Sequence, residues 1–430
     1  MKFQWQNTFR SLKYRNFQLY FYGQTISLIG TWIQRIATPW LVYDLTHSVF
    51  LLGLVGFLGQ LPTFFIAPFS GVYVDRLSKY KLLILTQVIA MLQALILAIL
   101  FMTHNLQIWH IILLSVILGV VNAFDTPARQ SFLIEIIEKK EDLGNAIALN
   151  SSMVNIARLI GPSIAGILIA TTGEGMCFLI NALSYIFVII SLFLMKFKEQ
   201  KIGTSKKKDL FKEMKEGWDY SLNYLPIKSV LILLTIVSLM GMPYTVLIPD
   251  FAKIYLKGNS NVFGFLMGAS GAGAFIGAIY LASRKSIAGL ESIIYRSSIF
   301  FGAGIIALSL SRNIYLSIIL MMLTGLGMML QIATSNTIIQ TLVQNEKRGR
   351  VMSLYTMAFM GTAPFGSLIA GTFAKQIGTP NTLIISGISC IFAGLYYATK
   401  LPQIKKDIYP QVRDLELDAL QSKEILDSDN

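Results

Sequence analysis

Two arginines stand inside long apolar stretches of this sequence, where a guanidinium group needs an explanation. Arg35 lies within the apolar segment 17–43, and Arg158 lies within 145–170. An arginine at the centre of a bilayer costs roughly 2.5–3.5 kcal/mol even on the lenient insertion scale, so it must face a wet cavity or an acidic partner. The planar fork of N–H donors matches catecholate, carboxylate and phosphate oxygens. We therefore expect both side chains to face a cavity and to attract an anionic group of a transported molecule.

A purely structural interpretation of these arginines stays open at the level of sequence. In that interpretation each guanidinium pairs inside the protein, and the partner of Arg158 is Asp125 or a backbone carbonyl. The two interpretations differ in whether the charges remain available to a ligand.

Polar side chains recur at helical spacing in the same apolar segments. Residues three and four positions apart lie on one helix face, so the polar residues of segment 17–43 form a stripe, and those of 145–170 form another. Span and helix face add a few aromatic, amide and thioether side chains from later segments. The predicted cavity lining is Gln24, Thr31, Gln34, Arg35, Asn155, Arg158, Met242, Tyr244, Gln331 and Tyr355.

Proton coupling would need a carboxylate or a histidine that titrates inside the cavity. The three histidines (His47, His104 and His110) map to links or to the edge of a segment, so we expect them to be solvated. Asp125 is the first candidate proton carrier and Asp250 is the second. Charge balance by the cargo itself is the alternative.

The sequence gives no support for cofactor or metal chemistry. Cys177 and Cys390 fall within or beside apolar runs and are expected to be buried thiols without a disulfide. No cluster of cysteines and histidines has metal-ligand spacing. No GxxxxGK loop followed by Ser or Thr occurs, and no nucleophile–base motif stands on a link. We expect no cofactor, no metal and no enzymatic activity.

Composition requires a membrane to position these residues. The chain has 430 residues, of which 54% are hydrophobic and 14% charged, whereas an ordinary soluble domain is about 25% charged. A membrane helix needs about 20 apolar residues, and twelve segments qualify. The sequence thus predicts an all-α integral membrane protein with twelve transmembrane helices. They are 17–43, 49–74, 82–102, 108–130, 145–170, 176–195, 228–250, 262–283, 292–311, 314–342, 350–374 and 381–399.

The distribution of basic residues predicts the orientation. If the N-terminus is cytoplasmic, the outer links hold only four of the 36 lysines and arginines, and cytoplasmic links of membrane proteins are enriched in these residues. Both termini are therefore expected in the cytoplasm. The net charge of +13 follows the inner links, which favours contact with the anionic inner leaflet and not with nucleic acid.

One long polar link divides six segments from six. The first half contains GVVNAFDTPARQSFLIEIIEKKEDLGNA and the second contains the similar GLGMMLQIATSNTIIQTLVQNEKRGRV, so that Gly166 and Gly173 align with Gly371 and Gly378. Two six-helix halves in the same orientation are typical of transporters built from parallel repeats. The predicted organisation is an N-terminal segment, a bundle, a basic linker, a second bundle and a tail: 1–16, 17–195, 196–227, 228–400 and 401–430.

The link between the second and third segments reads GVYVDRLSKYK and resembles the signature loop of the major facilitator superfamily. The matching residues are Gly71, Asp75, Arg76, Lys79 and Lys81, whereas Ser78 stands where the family usually has glycine. The resemblance implies the major facilitator fold and a latch between the two halves, in which Asp75 meets the start of the eleventh helix. It also implies that Lys79 pairs with an acid on the fourth helix, where Asp125 and then Arg129 stand.

The fifth segment contains NIARLIGPSIAG, which resembles the antiporter motif of exporters in this superfamily. The matching residues are Gly161, Pro162 and Gly166, and we expect them to pack against the glycine-rich eighth segment. A role in packing alone, without bearing on transport direction, stays open.

The phrases TWIQRIATPWLVYDLTHS and FDTPARQSFL, with that motif, resemble a branch containing the bacterial enterobactin exporter and macrolide-efflux proteins. This resemblance implies a monomer in the bacterial inner membrane that exports a siderophore or an amphipathic drug by proton-coupled antiport. The alternative is a lysophospholipid, or other lipid or metabolite, transporter of the same fold.

Overall fold

The protein is helical in the computed structural model, which describes residues 10–196, 218–284, 289–343 and 345–428. The most basic part of the predicted linker, 197–217, lies outside these described residues. Twelve long helices follow one another, and each corresponds to a predicted segment. They are α1 (Arg15–Thr46), α2 (Val49–Arg76), α3 (Lys79–Met102), α4 (Ile108–Glu135), α5 (Lys140–Thr172), α6 (Glu174–Leu194), α7 (Leu225–Tyr255), α8 (Ser260–Ala282), α9 (Leu290–Leu310), α10 (Ile314–Leu342), α11 (Asn345–Ile377) and α12 (Thr379–Ser428).

Eleven of the described helices are long and apolar enough to cross a membrane. The remaining one, α1, is 32 residues long, but it carries the polar stripe that the sequence predicts. The last helix continues beyond its apolar part to Ser428, so the polar tail 401–428 extends α12.

Small and capping residues end the helices abruptly, which keeps the links short. Gly173 separates α5 from α6 and Gly378 separates α11 from α12, and both have a φ of 83°, a conformation that glycine adopts without a Cβ clash. Sequence alignment of the two halves pairs these two glycines, so the backbone repeats the same turn in each half. Ser48 caps α2 by accepting a hydrogen bond from the Leu51 amide at 3.3 Å.

The helices pack in two groups, one in each half of the chain. In the first half α1 packs on α5 and α6, while α4 packs on α2 and α3. In the second half α10 packs on α8 and α9, and α12 packs on α9. Two extensive contacts join the halves, one between α5 and α8 and the other between α2 and α11.

Glycine pairs allow these two contacts to be close. A Cβ added to Gly264 of α8 would lie 2.7 Å from Cα of Gly166 in α5. A Cβ added to Gly371 of α11 would lie 2.9 Å from Cα of Gly53 in α2. Gly166 and Gly371 are also aligned in the internal repeat, so each half uses the same glycine to approach the other.

The expected packing of the glycine motif of α5 on α8 holds for Pro162 and Gly166, which lie against Gly264, but is wrong for Gly161, which faces Trp32 of α1. Gly264, Gly268 and Gly271 face α5, whereas Gly273 and Gly277 face α10. The α8 glycines thus serve two helix contacts on opposite sides.

Two helices of the second half are locally widened. The segment Val237–Gly241 in α7 and the segment Met357–Gly361 in α11 are π-helical. The Ser238 hydroxyl donates a hydrogen bond to the Phe359 carbonyl, which joins the two widened turns. Single π turns inside α-helices often accompany functional sites.

A short turn, Arg10–Lys13, ties the beginning of α1 to α5. Lys13 contacts the Asp142 carboxylate at 2.6 Å, and the Tyr14 hydroxyl donates to the same carboxylate at 2.6 Å. The hydrogen bond to Asp142 raises the pKa of the Lys13 ammonium above its ordinary value. This contact sets the relative position of the two helices that carry Arg35 and Arg158.

We expect Gly264→Ala to destabilise the contact between α5 and α8. The new methyl group would overlap the backbone of Gly166 and the carbonyl of Pro162, both 2.7 Å away, and backbone cannot move aside as a flexible side chain can. The unfolding temperature of the purified protein should fall, and overpacking of this kind costs about 1–3 kcal/mol.

Gly144→Ala is the matched control, because Gly144 lies in helix α5 with no atom within 4 Å of an added Cβ. This substitution should leave the unfolding temperature unchanged or raise it slightly, since alanine favours helix. Equal unfolding temperatures for the two variants would contradict the close approach of α5 and α8.

Candidate substrate-binding site between the two halves

The two predicted cations, from different helices, lie beside the same indole ring. The guanidinium carbon of Arg35 lies 4.7 Å from the ring centroid of Trp32, one turn away on α1. That of Arg158, on α5, lies 5.9 Å from the same centroid. Arg35 is exposed and Arg158 is partly buried. The structure therefore brings Arg35 and Arg158 together, as their predicted common role requires.

The surroundings of Arg158 indicate that it lies where the two halves meet. Its backbone carbonyl would be 2.7 Å from a Cβ at Gly271 of α8. Its charge also interacts with Tyr244 of α7, which belongs to the second half. Arg35 interacts electrostatically with Arg158, Tyr185 and Arg129, all residues of the first half.

Within the described part of the chain, neither cation has an acidic partner. Among the residues that the structure describes, no carboxylate or hydrogen-bond acceptor lies within bonding distance of Arg35 or Arg158. The alternative pairing of Arg158 with Asp125 is wrong, because Asp125 binds Arg129 one turn along α4 at 2.8 Å. The N–H donors of Arg35 and Arg158 thus remain available.

Asp125 is buried and held by several donors. Its Oδ1 accepts hydrogen bonds from the Thr86 hydroxyl at 2.9 Å and the Gln87 amide at 2.7 Å, both on α3. Its Oδ2 contacts Arg129. Three side-chain donors, Thr86, Gln87 and Arg129, therefore surround the Asp125 carboxyl group.

Lys79 does not pair with Asp125, and that expectation is wrong. Lys79 contacts Oε1 of Glu135 at 2.6 Å. Glu135 ends α4, next to the start of α3, whereas Asp125 lies ten residues earlier, about 15 Å along the helix. The partner is an acid of the fourth helix, as the resemblance implies, but the nearer one. The structure describes the remaining latch residues, Gly71, Asp75 and Arg76, only as helical backbone of α2.

Asp250, the second candidate proton carrier, joins the two halves. The Tyr43 hydroxyl of α1 donates to its Oδ1 at 2.5 Å, and the Thr379 hydroxyl of α12 donates to its Oδ2. Beside it, Lys253 of α7 contacts Asp44 of α1 at 2.5 Å. We call this end of the bundle, where α1 ends and α2 begins, the sealed end. Both oxygens of Asp250 are occupied there.

The amide residues of the first half form an internal network. Gln34 of α1 donates to Gln93 of α3 at 2.9 Å and accepts from Asn181 of α6 at 2.6 Å. Gln34 is buried, and both ends of its amide are used. Its position supports the packing of three helices and leaves no amide group free for a ligand.

The other predicted lining residues of the first half also bond locally. Gln24 is buried. The Thr31 hydroxyl donates to the Ser27 carbonyl at 2.9 Å, and the Asn155 amide donates to the Ser151 carbonyl at 2.9 Å. Thr31 and Asn155 thus form hydrogen bonds with backbone carbonyls of their own helices.

The predicted lining residues of the second half are neutral and mostly buried. Tyr244 exchanges a hydrogen bond with Ser270 at 2.8 Å, and the Tyr355 hydroxyl donates to the Ile332 carbonyl at 3.3 Å. Gln331 is fully buried, and its Oε1 has no partner. Met242 is partly buried.

Gly161 of the antiporter-like motif packs against Trp32, the residue whose ring lies beside both cations. A Cβ at Gly161 would lie 2.5 Å from Cβ of Trp32. Gly161 and Pro162 are both buried, and Arg158 precedes Gly161 by three residues, which is nearly one turn. The motif therefore sets how closely α1 and α5 approach at the site.

Sequence reasoning missed Trp32, Glu135 and the partners of Asp250. Trp32 had a usable signal, since it stands three residues before Arg35 and so shares its helix face. Tyr43 and Thr379 had none, because they are far from Asp250 in sequence and meet it only across the two halves.

Comparisons with known proteins identify relatives over almost the whole chain. A family model described as transmembrane secretion effector matches residues 6–424. The chain is 28% identical to the staphyloferrin A transporter of Staphylococcus aureus, with 90% of this chain and 97% of the relative covered. It is 24% identical to macrolide efflux protein A of Streptococcus pyogenes, with 88% and 96% covered.

Solved structures share the fold at low sequence identity. A bacterial homologue of the human lysosomal transporter Spinster, in an inward-facing and unoccupied conformation, has a TM-score of 0.69 at 12% identity, with 91% of this chain and 98% of that chain covered. The peptide transporter POT has a TM-score of 0.72 at 11% identity, with 91% and 95% covered.

We expect Asp250→Asn to loosen the sealed end. An asparagine presents only one acceptor oxygen where the carboxylate accepts from both Tyr43 and Thr379, and hydrogen bonds to charged groups contribute about 1.5–3 kcal/mol each. Thr171 and Tyr315 are exposed positions of the two halves at this end. The distance between spin labels at these positions, measured by double electron–electron resonance, should become longer and its distribution broader.

Asp44→Asn is the control, since the Asp44–Lys253 pair is largely solvent-accessible and such pairs contribute little. Distance distributions that respond equally to both substitutions, or to neither, would show that the buried carboxylate does not hold the halves together.

Proposed function

Since the chain belongs to the transmembrane secretion effector family of the major facilitator superfamily, whose members are transporters and not enzymes, we propose that it exports a small anionic or amphipathic molecule across the bacterial inner membrane. The two six-helix halves, 17–195 and 228–400, would rock about a central site, so that the site opens alternately to each side of the membrane.

One observation carries the proposal of an anionic cargo. Arg35 and Arg158 lie beside the same ring, that of Trp32, and neither has a carboxylate partner among the residues that the structure describes. Two uncompensated guanidinium groups repel each other and lose hydration when they are enclosed, and a bound anion relieves both costs. An arginine fork also gives bidentate hydrogen bonds to carboxylate and phosphate oxygens.

The charge of the site favours a siderophore-like cargo over a cationic drug. Relatives include the staphyloferrin A transporter and macrolide efflux protein A. A cationic molecule would be repelled by Arg35 and Arg158, whereas catecholate or carboxylate groups would be attracted. The neutral and aromatic side of the second half, with Met242, Tyr244 and Tyr355, suits the apolar part of an amphipathic anion.

A lipid transporter of the same fold is the second candidate function. The phosphate of a lysophospholipid would satisfy the same two guanidinium groups, and its acyl chain would suit the apolar second half. Metabolite, drug and lipid profiling of the medium and membranes of a deletion strain separates the candidates, because only the true cargo should be retained in the cells.

The basic links suggest how the protein is oriented in the membrane. With the termini in the cytoplasm, the basic residues lie along the anionic inner leaflet, and the protein works as a monomer.

Proton-coupled antiport is the proposed energy source. Asp125 is the first candidate carrier, since an anion that draws Arg129 away would leave its carboxylate free to take up a proton. Asp250 is the second.

Asp75 is proposed to act as a latch with the start of α11 when the sealed end opens. Gly71, Arg76 and Lys79 shape that link, and the pairing of Lys79 with Glu135 fixes the start of α3 against the end of α4. The partial antiporter motif supports an outward direction of transport.

We expect Arg158→Ala to lower the efflux of the cargo at least about tenfold, because a lost charge-assisted hydrogen bond is worth about 1.5–3 kcal/mol. Efflux of the compound that profiling identifies is measured from loaded cells, with surface expression and unfolding temperature measured in parallel. Arg158→Lys should retain part of the activity, since it keeps the charge but loses the fork.

Arg296→Ala is the matched control. Arg296 is exposed and lies over the ring of its neighbour Tyr295 at 5.8 Å, so it shares the residue type and the aromatic contact but stands outside the site. Efflux by Arg158→Ala at the rate of the Arg296→Ala control would remove Arg158 from the mechanism.

A further inference from the structure

The indole of Trp32 lies beside both cations of the site. The two guanidinium carbons lie 4.7 and 5.9 Å from its ring centroid, within the range of cation–π attraction. Trp32 belongs to α1, as Arg35 does, whereas Arg158 belongs to α5. The ring therefore connects the charged groups of two helices.

Two like charges held near each other inside a membrane protein need stabilisation. A carboxylate would supply it, but it would also neutralise the charge and occupy the N–H donors that a ligand needs. The negative face of an aromatic ring attracts the cation while leaving it charged. Contact through the flat face of a guanidinium also leaves the N–H groups at its edge free for bidentate hydrogen bonds.

The backbone around the ring is shaped to hold it. Gly161 of α5 lies against Trp32, and a Cβ at Gly161 would come within 2.5 Å of Cβ of Trp32. Any other residue at 161 would press on Cβ of Trp32 and so move α1 away from α5, the helix that carries Arg158 three residues earlier. The close approach of glycine to tryptophan thus sets how near Trp32 comes to Arg158.

We propose that Trp32 is the positioning residue of a two-arginine anion site, which holds Arg35 and Arg158 in place by cation–π attraction and leaves their N–H donors available. The ligand class is an oxyanion with at least two acidic groups, because two guanidinium forks converge beside one ring. This inference rests on the proposed function and deepens it by assigning the residue that organises the cations.

The test is calorimetric titration of the full-length purified protein with three oxyanion probes: citrate, inorganic pyrophosphate and Tiron, a disulfonated catechol. Trp32→Leu should weaken binding of the preferred probe about tenfold, because an enclosed cation–π contact is worth that much. The affinity of Trp32→Phe for that probe should lie between those of the wild type and Trp32→Leu, since phenylalanine has a weaker aromatic face than tryptophan.

Trp40→Phe is the matched control. Trp40 lies two turns further along α1, stacks on Phe263 at 5.6 Å and has Lys253 at 5.9 Å from its ring, so it is also an indole near a cation. It lies at the sealed end, away from Arg158. Anion affinity should be unchanged by this substitution.

Each outcome has a distinct meaning. If the wild-type protein binds none of the three probes, the anion site itself fails, and with it the proposed function. If the wild type binds a probe and both Trp32 variants bind it with wild-type affinity at normal unfolding temperature, the anion site stands and the role of Trp32 is overturned.

Gly161→Ala provides a second test if Trp32→Leu does not fold. It keeps all three side chains but presses on Cβ of Trp32 and so separates Trp32 from Arg158, and the same loss of anion affinity is expected. A folded Gly161→Ala protein with wild-type affinity would overturn the proposal independently.

Discussion

The arrangement of this protein depends on how it accommodates two charged guanidinium groups in a membrane bundle in which no described carboxylate pairs with them. Enclosing a charge costs free energy unless water, a counter-ion or an aromatic face stabilises it. Arg35 and Arg158 share the ring of Trp32 and contact no carboxylate among the described residues. Their position between the halves explains why the fold keeps a polar stripe on α1 at the expense of that helix's hydropathy.

The same bundle uses its carboxylates differently at different depths. Asp125 is surrounded by donors of α3 and α4 within one half, so it belongs to the internal charge balance of that half. Asp250 takes its donors from both halves, since Tyr43 comes from the first and Thr379 from the second. A buried carboxylate with donors inside one half can change its charge without moving the halves, whereas one with donors from both halves cannot easily do so. The two candidate proton carriers thus have different mechanical consequences.

Glycine sets the geometry of the contact between the halves, on which the proposed alternating access depends. Gly166 with Gly264, and Gly371 with Gly53, bring the halves together by backbone contact, which has no side chains to interlock. Smooth contacts of this kind suit surfaces that rotate against one another. Gly161 has a different use, because it packs on Trp32 of α1 and so affects the position of Trp32 and not the contact between the halves. One short motif on α5 therefore contributes both to the contact between the halves and to the arrangement of the cations.

The sequence by itself determined the number and approximate limits of the helices, the internal repeat and the two unusual arginines. These follow from local composition, since the bilayer requires about 20 apolar residues per span and makes each buried charge conspicuous. Helical periodicity also indicated which residues share a face of one helix. It could not determine which residue of another helix meets that face. The pairing of Lys79 with Glu135, the joining of the halves by Tyr43 and Asp250, and the common contact of Arg35 and Arg158 with Trp32 were decided only by tertiary structure, because the crossing of helices distant in sequence selects one partner among several that are chemically equivalent.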